Sequence, residues 1–330
     1  MRYALEGSIR KAGGKVRITG QLIEAATGLH LWADRFDGPL DDIFELQDKV
    51  TSSVVAAIAP RLEQAEIDRS ERKPTESLGA VDLYYRAVHS RWRVTRQGFE
   101  DALRLARQAI SLDPNFAAAY GLILDCYTNL RDQGWITSDD SAAQAKQYAL
   151  RAIEVGADDA FALARAASFF GGVLKDVGTA DVIVDQAIAV NPNLSVAWRM
   201  RGWVSVLLGQ HEPAIEQFQY AMRLNPLDPQ IYLTEAGLAY PNFFLRRFEI
   251  ALSWATKALA RQRNFGTAIS IAIVSYAMLG RIADAQMMVA RWREIGFVMT
   301  ISEIRKWLGD YRQEDVEFYI EACRIAGVRE

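Results

Sequence analysis

The chain carries little excess charge of either sign: 38 Lys and Arg against 41 Asp and Glu leave a formal −3 over 330 residues. So even a balance gives no electrostatic footprint for nucleic acid or for an anionic membrane surface, and neither is an expected partner. Cysteine is scarce as well. Cys126 and Cys323 lie far apart and form no CxxC, which argues against a disulfide framework or thiolate zinc site and predicts two buried free thiols. The three histidines, His30, His89 and His211, each lack a second histidine or cysteine at ligand spacing, so no metal is expected. The longest apolar run, Ala268 to Leu279, stops at Gly280-Arg281, short of the roughly 18 residues that a membrane span needs. With neither a span nor a signal peptide, the expected compartment is the cytoplasm; the periplasm is the alternative if a membrane segment precedes Met1. What is present is ordinary for folded protein: 50% hydrophobic and 24% charged residues. The length favours two parts over one compact domain.

The most informative stretch runs from Ser195 to Asp228. It reads as two amphipathic helices, the first with Trp198, Gly202, Leu207 and Leu208, the second with Ala214, Phe218, Ala221 and Leu224. Gly209 suits a helix C-cap, Pro213 a first helical turn, and Pro226 ends the second helix. Small residues at i and i+7 with a larger one at i+4 let a partner helix approach closely. The same triplet recurs at Ala102/Ala106/Ala109, Ala145/Ala149/Ala152, Ala180/Val184/Ala187, Ala251/Ala255/Ala258 and Ala285/Val289/Trp292. Its spacing is near 34 residues in three of the five intervals.

These residues resemble the tetratricopeptide repeat, most strongly at Trp198, Gly202, Gly209, Ala214, Phe218, Ala221 and Pro226, and again at Tyr276, Gly280 and Ala285. The resemblance implies about six helix pairs stacked into an α-solenoid between Leu78 and Phe297. Several departures are expected to matter. Arg91, Trp92, Arg93 and Arg96 stand at apolar positions of the first unit, and Gly171-Gly172 falls inside the first helix of the third, so both should be locally weak. An insertion from Arg131 to Ser141 predicts a protruding loop in the second unit, and a shorter one is expected around Pro241-Asn242-Phe243-Phe244 in the fifth. Helical stretches at Ile301 to Leu308 and Glu314 to Ala326 are expected to cap the array.

Ahead of the repeats, alternation from Tyr3 to Arg10 and from Val16 to Ile23 around Gly13-Gly14 predicts a β-hairpin, and His30 to Phe36 a third strand. From Asp41 or Asp42 as N-cap, Ile43, Leu46, Val50, Val54, Ile58 and Leu62 predict a long helix on the sheet, kinked or divided at Pro60. The run from Arg2 to about Asp68 resembles the second half of the TolB-like amino-terminal domain of bacterial multidomain regulators. In that family an earlier β-α-β portion completes the sheet, so the resemblance implies a partial domain with an exposed edge open to self-association. The charged stretch Glu66 to Ser77, with Pro74, predicts a boundary. The expected organisation is a partial α+β module over 1–68 (three-stranded antiparallel sheet plus long helix), a linker over 69–77, repeats over 78–297 and capping helices over 298–330: a mainly α fold.

No catalytic constellation stands out, and no cofactor is expected. Ala12-Gly13-Gly14-Lys15 lacks Walker spacing and lies between strands, so it reads as a hairpin turn. The pairs Asp41-Asp42, Asp139-Asp140 and Asp158-Asp159 each precede a helix, where aspartate caps free N–H groups. The geometry of the resembled repeats implies that Asp125, Asn129, Arg199, Trp203 and Val206 face a concave groove, with Arg199 set to engage carboxylates and Trp203 to anchor a protein or peptide partner. The expected function is a non-enzymatic interaction scaffold. In the resembled multidomain family the same modules follow a class III adenylate cyclase or a winged-helix domain, so the regulatory carboxy-terminal part of a cyclase, or of a DNA-binding regulator, is the alternative.

Overall fold

The computed structural model describes residues 2–39, 43–73, 78–133, 135–136, 139–297, 300–309 and 311–330. The chain divides into two compact units, Met1–Leu78 with Arg223–Asp228, and Gly79–Met222 with Pro229–Glu330.

In the first unit, strands β1 (Tyr3–Ala12), β2 (Lys15–Glu24) and β3 (His30–Pro39) form an antiparallel meander in the order β1-β2-β3. Gly13 and Gly14 take positive φ of 56° and 73° in the two-residue turn, the conformation that matches the strands' own twist. Ala12 pairs with Lys15, and the register runs back to Tyr3 opposite Glu24. Alternation then sorts the two faces. One is polar, with Ser8 against Thr19 at 2.7 Å, Gln21 donating to Glu6 at 2.9 Å and Arg17 to Asp37 at 2.7 Å. The other buries Val16, Leu22 and Phe36, with Ile18, Trp32, Val50 and Val54 packed around Val16 and Phe36.

Val50 and Val54 belong to α1 (Ile43–Arg72), which packs on β3 and β2. It runs unbroken through Pro60 and past the predicted start of the linker, ending at Arg72 rather than near Asp68. Glu66 shows why helix continues there: its carboxylate takes hydrogen bonds from Arg2, Tyr3 and Arg69, so the charge read as linker is instead the end of the module. The Asp41-Asp42 cap and residues 74–77 of the linker lie outside the described residues.

Among the described residues of the second unit, helices pair in sequence as α2 (Ala80–Trp92) with α3 (Arg96–Leu112), α4 (Ala117–Asp132) with α5 (Asp139–Val155), and α6 (Ala160–Gly172) with α7 (Val177–Val190). Three more pairs follow: α8 (Ser195–Leu207) with α9 (His211–Leu224), α10 (Ile231–Phe244) with α11 (Phe248–Arg261), and α12 (Gly266–Met278) with α13 (Ile282–Glu294). The array is an α-solenoid of the tetratricopeptide kind. Every residue of the six triplets is buried. Close approach explains the small residues: a Cβ on Gly202 would come within 2.8 Å of the Phe218 ring, and one on Gly237 within 2.6 Å of the same ring. Gly209 and Gly280 take positive φ in the tight turns between paired helices, the conformation glycine adopts without strain.

Three local expectations are corrected. Gly171-Gly172 closes α6 rather than interrupting it. Pro241 to Phe244 forms no inserted loop but the buried last turn of α10. A proline there withholds the donor that the Gly237 carbonyl would take in the ladder, and Asn242 Nδ2 donates to the next carbonyl, that of Leu238, at 2.8 Å. Of the insertion in the second unit, Trp135 is no protruding tip: its ring sits 6.1 Å from that of Phe99.

The last two helices, α14 (Ile301–Trp307) and α15 (Gln313–Ile325), pack on each other and on the first helices α10 and α12. Phe318 stacks on Phe243 at 5.0 Å and Tyr319 on Tyr240 at 6.4 Å. His211 Nε2 is 3.0 Å from Asp315 Oδ2, with its ring stacked on Phe244.

Candidate functional site

The first helices of successive pairs, α4, α6, α8, α10 and α12, pack side by side into one wall. Asp125, on α4 at one end of this row, is 3% exposed. Arg91 Nε from α2 reaches Asp125 Oδ2 at 2.5 Å, and Arg165 Nη1 from α6 reaches Oδ1 at 2.7 Å. Asn129 Nδ2 donates to the Asp125 carbonyl at 2.8 Å and to Oδ1 at 3.2 Å. Burial pushes the Asp125 carboxyl up, but Arg165, Arg91 and Arg199 together outweigh it and hold the group below its usual range. The carboxylate is fully engaged. It joins the first helices of three repeats, and Arg91, an out-of-place charge in the sequence, is one end of that clamp.

Beside the clamp is a cavity of about 150 Å³, room for roughly five waters or one modest side chain. Asp125, Asn129, Asp132, Arg165, Lys175, Arg199, Trp203, Tyr240, Trp307 and Tyr311 are among its lining residues. Trp203 presents an edge to Phe218 at 5.6 Å and to Tyr240 at 5.2 Å, which fixes its indole while leaving part of it open. The Arg165 guanidinium lies 5.3 Å over the Phe161 ring. Lys175 Nζ donates to the Trp307 carbonyl at 2.8 Å, tying the loop after α6 to the end of α14. Asp132 behaves differently from Asp125. Burial dominates there, against the opposing pull of Arg131 and Lys175, and its carboxyl is pushed up to about 6.

Four of the five residues placed in the groove from sequence thus meet at one cavity. Val206 does not. It is fully buried in the cluster with Ala214, Phe218 and Tyr240, because this turn of α8 packs into the core. Asp125 and Arg199 are in the wall but almost wholly covered, Arg199 at 1% exposure; they shape the cavity more than they offer themselves to a partner. Sequence reading missed Arg165, although it lies 34 positions before Arg199, one repeat length. Lys175, Trp307 and Tyr311 had no periodic signal, since they come from a connection and from the terminal helices.

The remaining candidates resolve into structure. Asp159 accepts a hydrogen bond from the Ala162 N–H at 3.0 Å as an N-cap, while the Asp139 and Asp140 side chains lie outside the described residues. Both cysteines are free and buried. Among the described residues no group of His, Cys, Asp and Glu could hold a metal ion, and no helix is long and apolar enough to cross a membrane.

No family model matches the chain. Over 155 residues, 47% of its length, it is 35% identical to a Rhizobium meliloti protein named "Putative adenylate cyclase 3", of which the match spans 26%. Over 198 residues, 59% of its length, it is 23% identical to the transcriptional regulator HilA of Salmonella typhimurium, of which the match spans 34%. The chain therefore spans about a quarter to a third of the curated relatives it matches. Among solved structures, the Cut9–Hcn1 hetero-tetramer of the APC/C superposes with a TM-score of 0.53 at 14% identity, over 86% of this chain and 52% of the other. That likeness is one of fold.

Proposed function

We propose that this chain, a tetratricopeptide-fold array with a small α+β module, is a non-enzymatic scaffold that seats a segment of a partner protein at the cavity of its inner wall. The observation that supports this most is the juxtaposition of a half-buried indole, Trp203, with the Lys175 ammonium around one small cavity. An aromatic anchor beside an ammonium group suits an apolar side chain next to a peptide oxygen or carboxylate. The small volume admits one side chain rather than a helix.

The test is affinity capture from lysate of the source bacterium with the intact chain as bait, repeated with Arg199→Ala and Trp203→Ala after circular dichroism and melting have shown both variants folded. A captured protein should fall at least about tenfold in recovery with Trp203→Ala, the loss expected for an anchor. Unchanged capture by both folded variants would remove the inner wall from consideration.

The likeness to the Rhizobium meliloti protein favours a second reading, that the chain is a regulatory portion of a nucleotide cyclase whose catalytic part lies outside this sequence. The purified chain with ATP and a divalent metal should form no cyclic nucleotide. Turnover abolished by a point mutation in this chain would instead make it an enzyme.

A further inference from the structure

One end of the inner-wall cavity is lined by groups that can accept hydrogen bonds. α4 and α6 run parallel there: Arg165 Nη1 meets Asp125, and less than two turns on Arg131 Nη1 reaches the Gly172 carbonyl at 2.6 Å. Between those contacts the register brings Asn129 and Asp132 of α4 beside Ser168 of α6, and all three line the cavity. Asn129 commits its Nδ2 to the Asp125 carbonyl and carboxylate, so the atom it turns the other way is the amide oxygen. Among the described residues neither the Asp132 carboxylate nor the Ser168 hydroxyl has a hydrogen-bond or ion-pair partner. The two cations that act on Asp132 are directed elsewhere, Arg131 to the Gly172 carbonyl and Lys175 Nζ to that of Trp307. With its carboxyl pushed up to about 6, Asp132 is ionised at neutral pH and lacks a counter-ion. Trp203, held by Phe218 and Tyr240, supplies the adjoining apolar wall.

We propose that the side chain seated at this cavity is that of a lysine, its methylene stem against Trp203 and its ammonium received by Asp132, Asn129 Oδ1 and Ser168 Oγ. The inference rests on the partner-segment reading and names the residue that the segment presents. An ammonium offers three N–H donors and no acceptor, which matches three acceptors with none left over, and its bond to Asp132 is charge-assisted. The apolar part of the occupant is the stem, which long cationic side chains habitually lay along apolar surface. Size agrees: a cavity of about 150 Å³ takes a group of roughly benzene's size, and the lysine side chain is of that order. A wholly apolar occupant would bury the Asp132 charge with no counter-ion, a penalty that a lysine turns into an ion pair. An acidic side chain pushed to this end would meet a like charge.

The experiment titrates the intact chain with two probes at about pH 7.5, where Asp132 carries its charge. One is Nα-acetyl-lysine N-methylamide; the other is its norleucine counterpart, which keeps the stem and lacks the ammonium. Binding is read by NMR at the Trp203 indole N–H, assigned as the signal missing from Trp203→Phe. The lysine probe should bind with a dissociation constant on the order of millimolar, and at least about fivefold more tightly than the norleucine probe. Asp132→Asn, which keeps the shape and removes the charge, should erase that preference. Equal binding of the two probes, or a preference for norleucine, overturns the lysine assignment and leaves the seating of an apolar side chain standing. A lysine preference that survives in folded Asp132→Asn overturns the proposal as well. So does a Trp203 signal that fails to respond to the lysine probe at about 10 mM, well above the expected constant; the partner-segment reading is then decided by the capture experiment alone.

Discussion

Asp125 and Asp132 lie two turns apart on one face of α4, and although burial pushes both carboxyls up, their net shifts have opposite signs. Asp125 is held ionised by arginines, whereas Asp132 keeps its proton to about pH 6 because burial outweighs the cations near it. In the unfolded chain an aspartate gives up its proton near pH 4. The folded state therefore holds the Asp132 proton more tightly, and the stability it contributes is lost as pH rises between about 4 and 6. Asp125 carries the other sign: its contribution is present above the unfolded value and lost as pH falls through its depressed one. Urea unfolding of the parent and of Asp132→Asn across pH 4 to 8 should give curves that nearly meet near pH 4 and separate above pH 6, with the variant more stable. A constant difference over the whole range would mean that Asp132 is ionised in both states. The geometry of the resembled repeats implied a groove position for Asp125 and Asn129, but it could not show that the Asp125 carboxylate is engaged with Arg91 and Arg165 and that Asn129 donates to Asp125. A heptad or a 34-residue repeat specifies a face; it carries no information on which charge of a face finds which.

At the level of helices, the tension is between propensity and space. Alanine is favoured over glycine inside a helix by about 1 kcal/mol, yet at Gly237 the added methyl would sit 2.6 Å from the Phe218 ring. Overpacking of that order costs about 1–3 kcal/mol, so Gly237→Ala should destabilise on balance. Gly172→Ala meets nothing within 4 Å and should be neutral or slightly stabilising. Thermal unfolding of the two variants side by side reads the sign directly, and a stabilised Gly237→Ala would mean that Phe218 can swing away. The triplets that give this tight seam were fully legible, because burial of a small residue at i and i+7 is a local pattern. Pro60 and Pro241 were not. Each reads locally as a break, while the helix runs on through it. Propensity is a weak prior wherever packing decides.

For the array as a whole, the least legible feature was the course of its last thirty residues. The sequence showed two short amphipathic helices; it held nothing to say that Phe318 and Tyr319 reach back to α10 or that Trp307 borders the cavity. Such docking is a choice among apolar surfaces that are far apart in the chain, and patterning does not rank them. The two thiols turn this arrangement into a measurement. Cys323 on α15 is 2% exposed and Cys126 on α4 fully buried, with the Cys323 thiol pushed up to about 12 by burial and Cys126 shifted in the same direction, chiefly by burial. Neither thiol reacts until its surroundings open. Each is thus a clock for one region, and a thiol reagent applied under native conditions, with the modified residue located by mass spectrometry, times them separately. Terminal elements open more readily than interior ones, so Cys323 should label well before Cys126, at the rate at which α15 lifts from the wall. Equal rates would mean that the repeats and their terminal helices come apart only together, as one cooperative block.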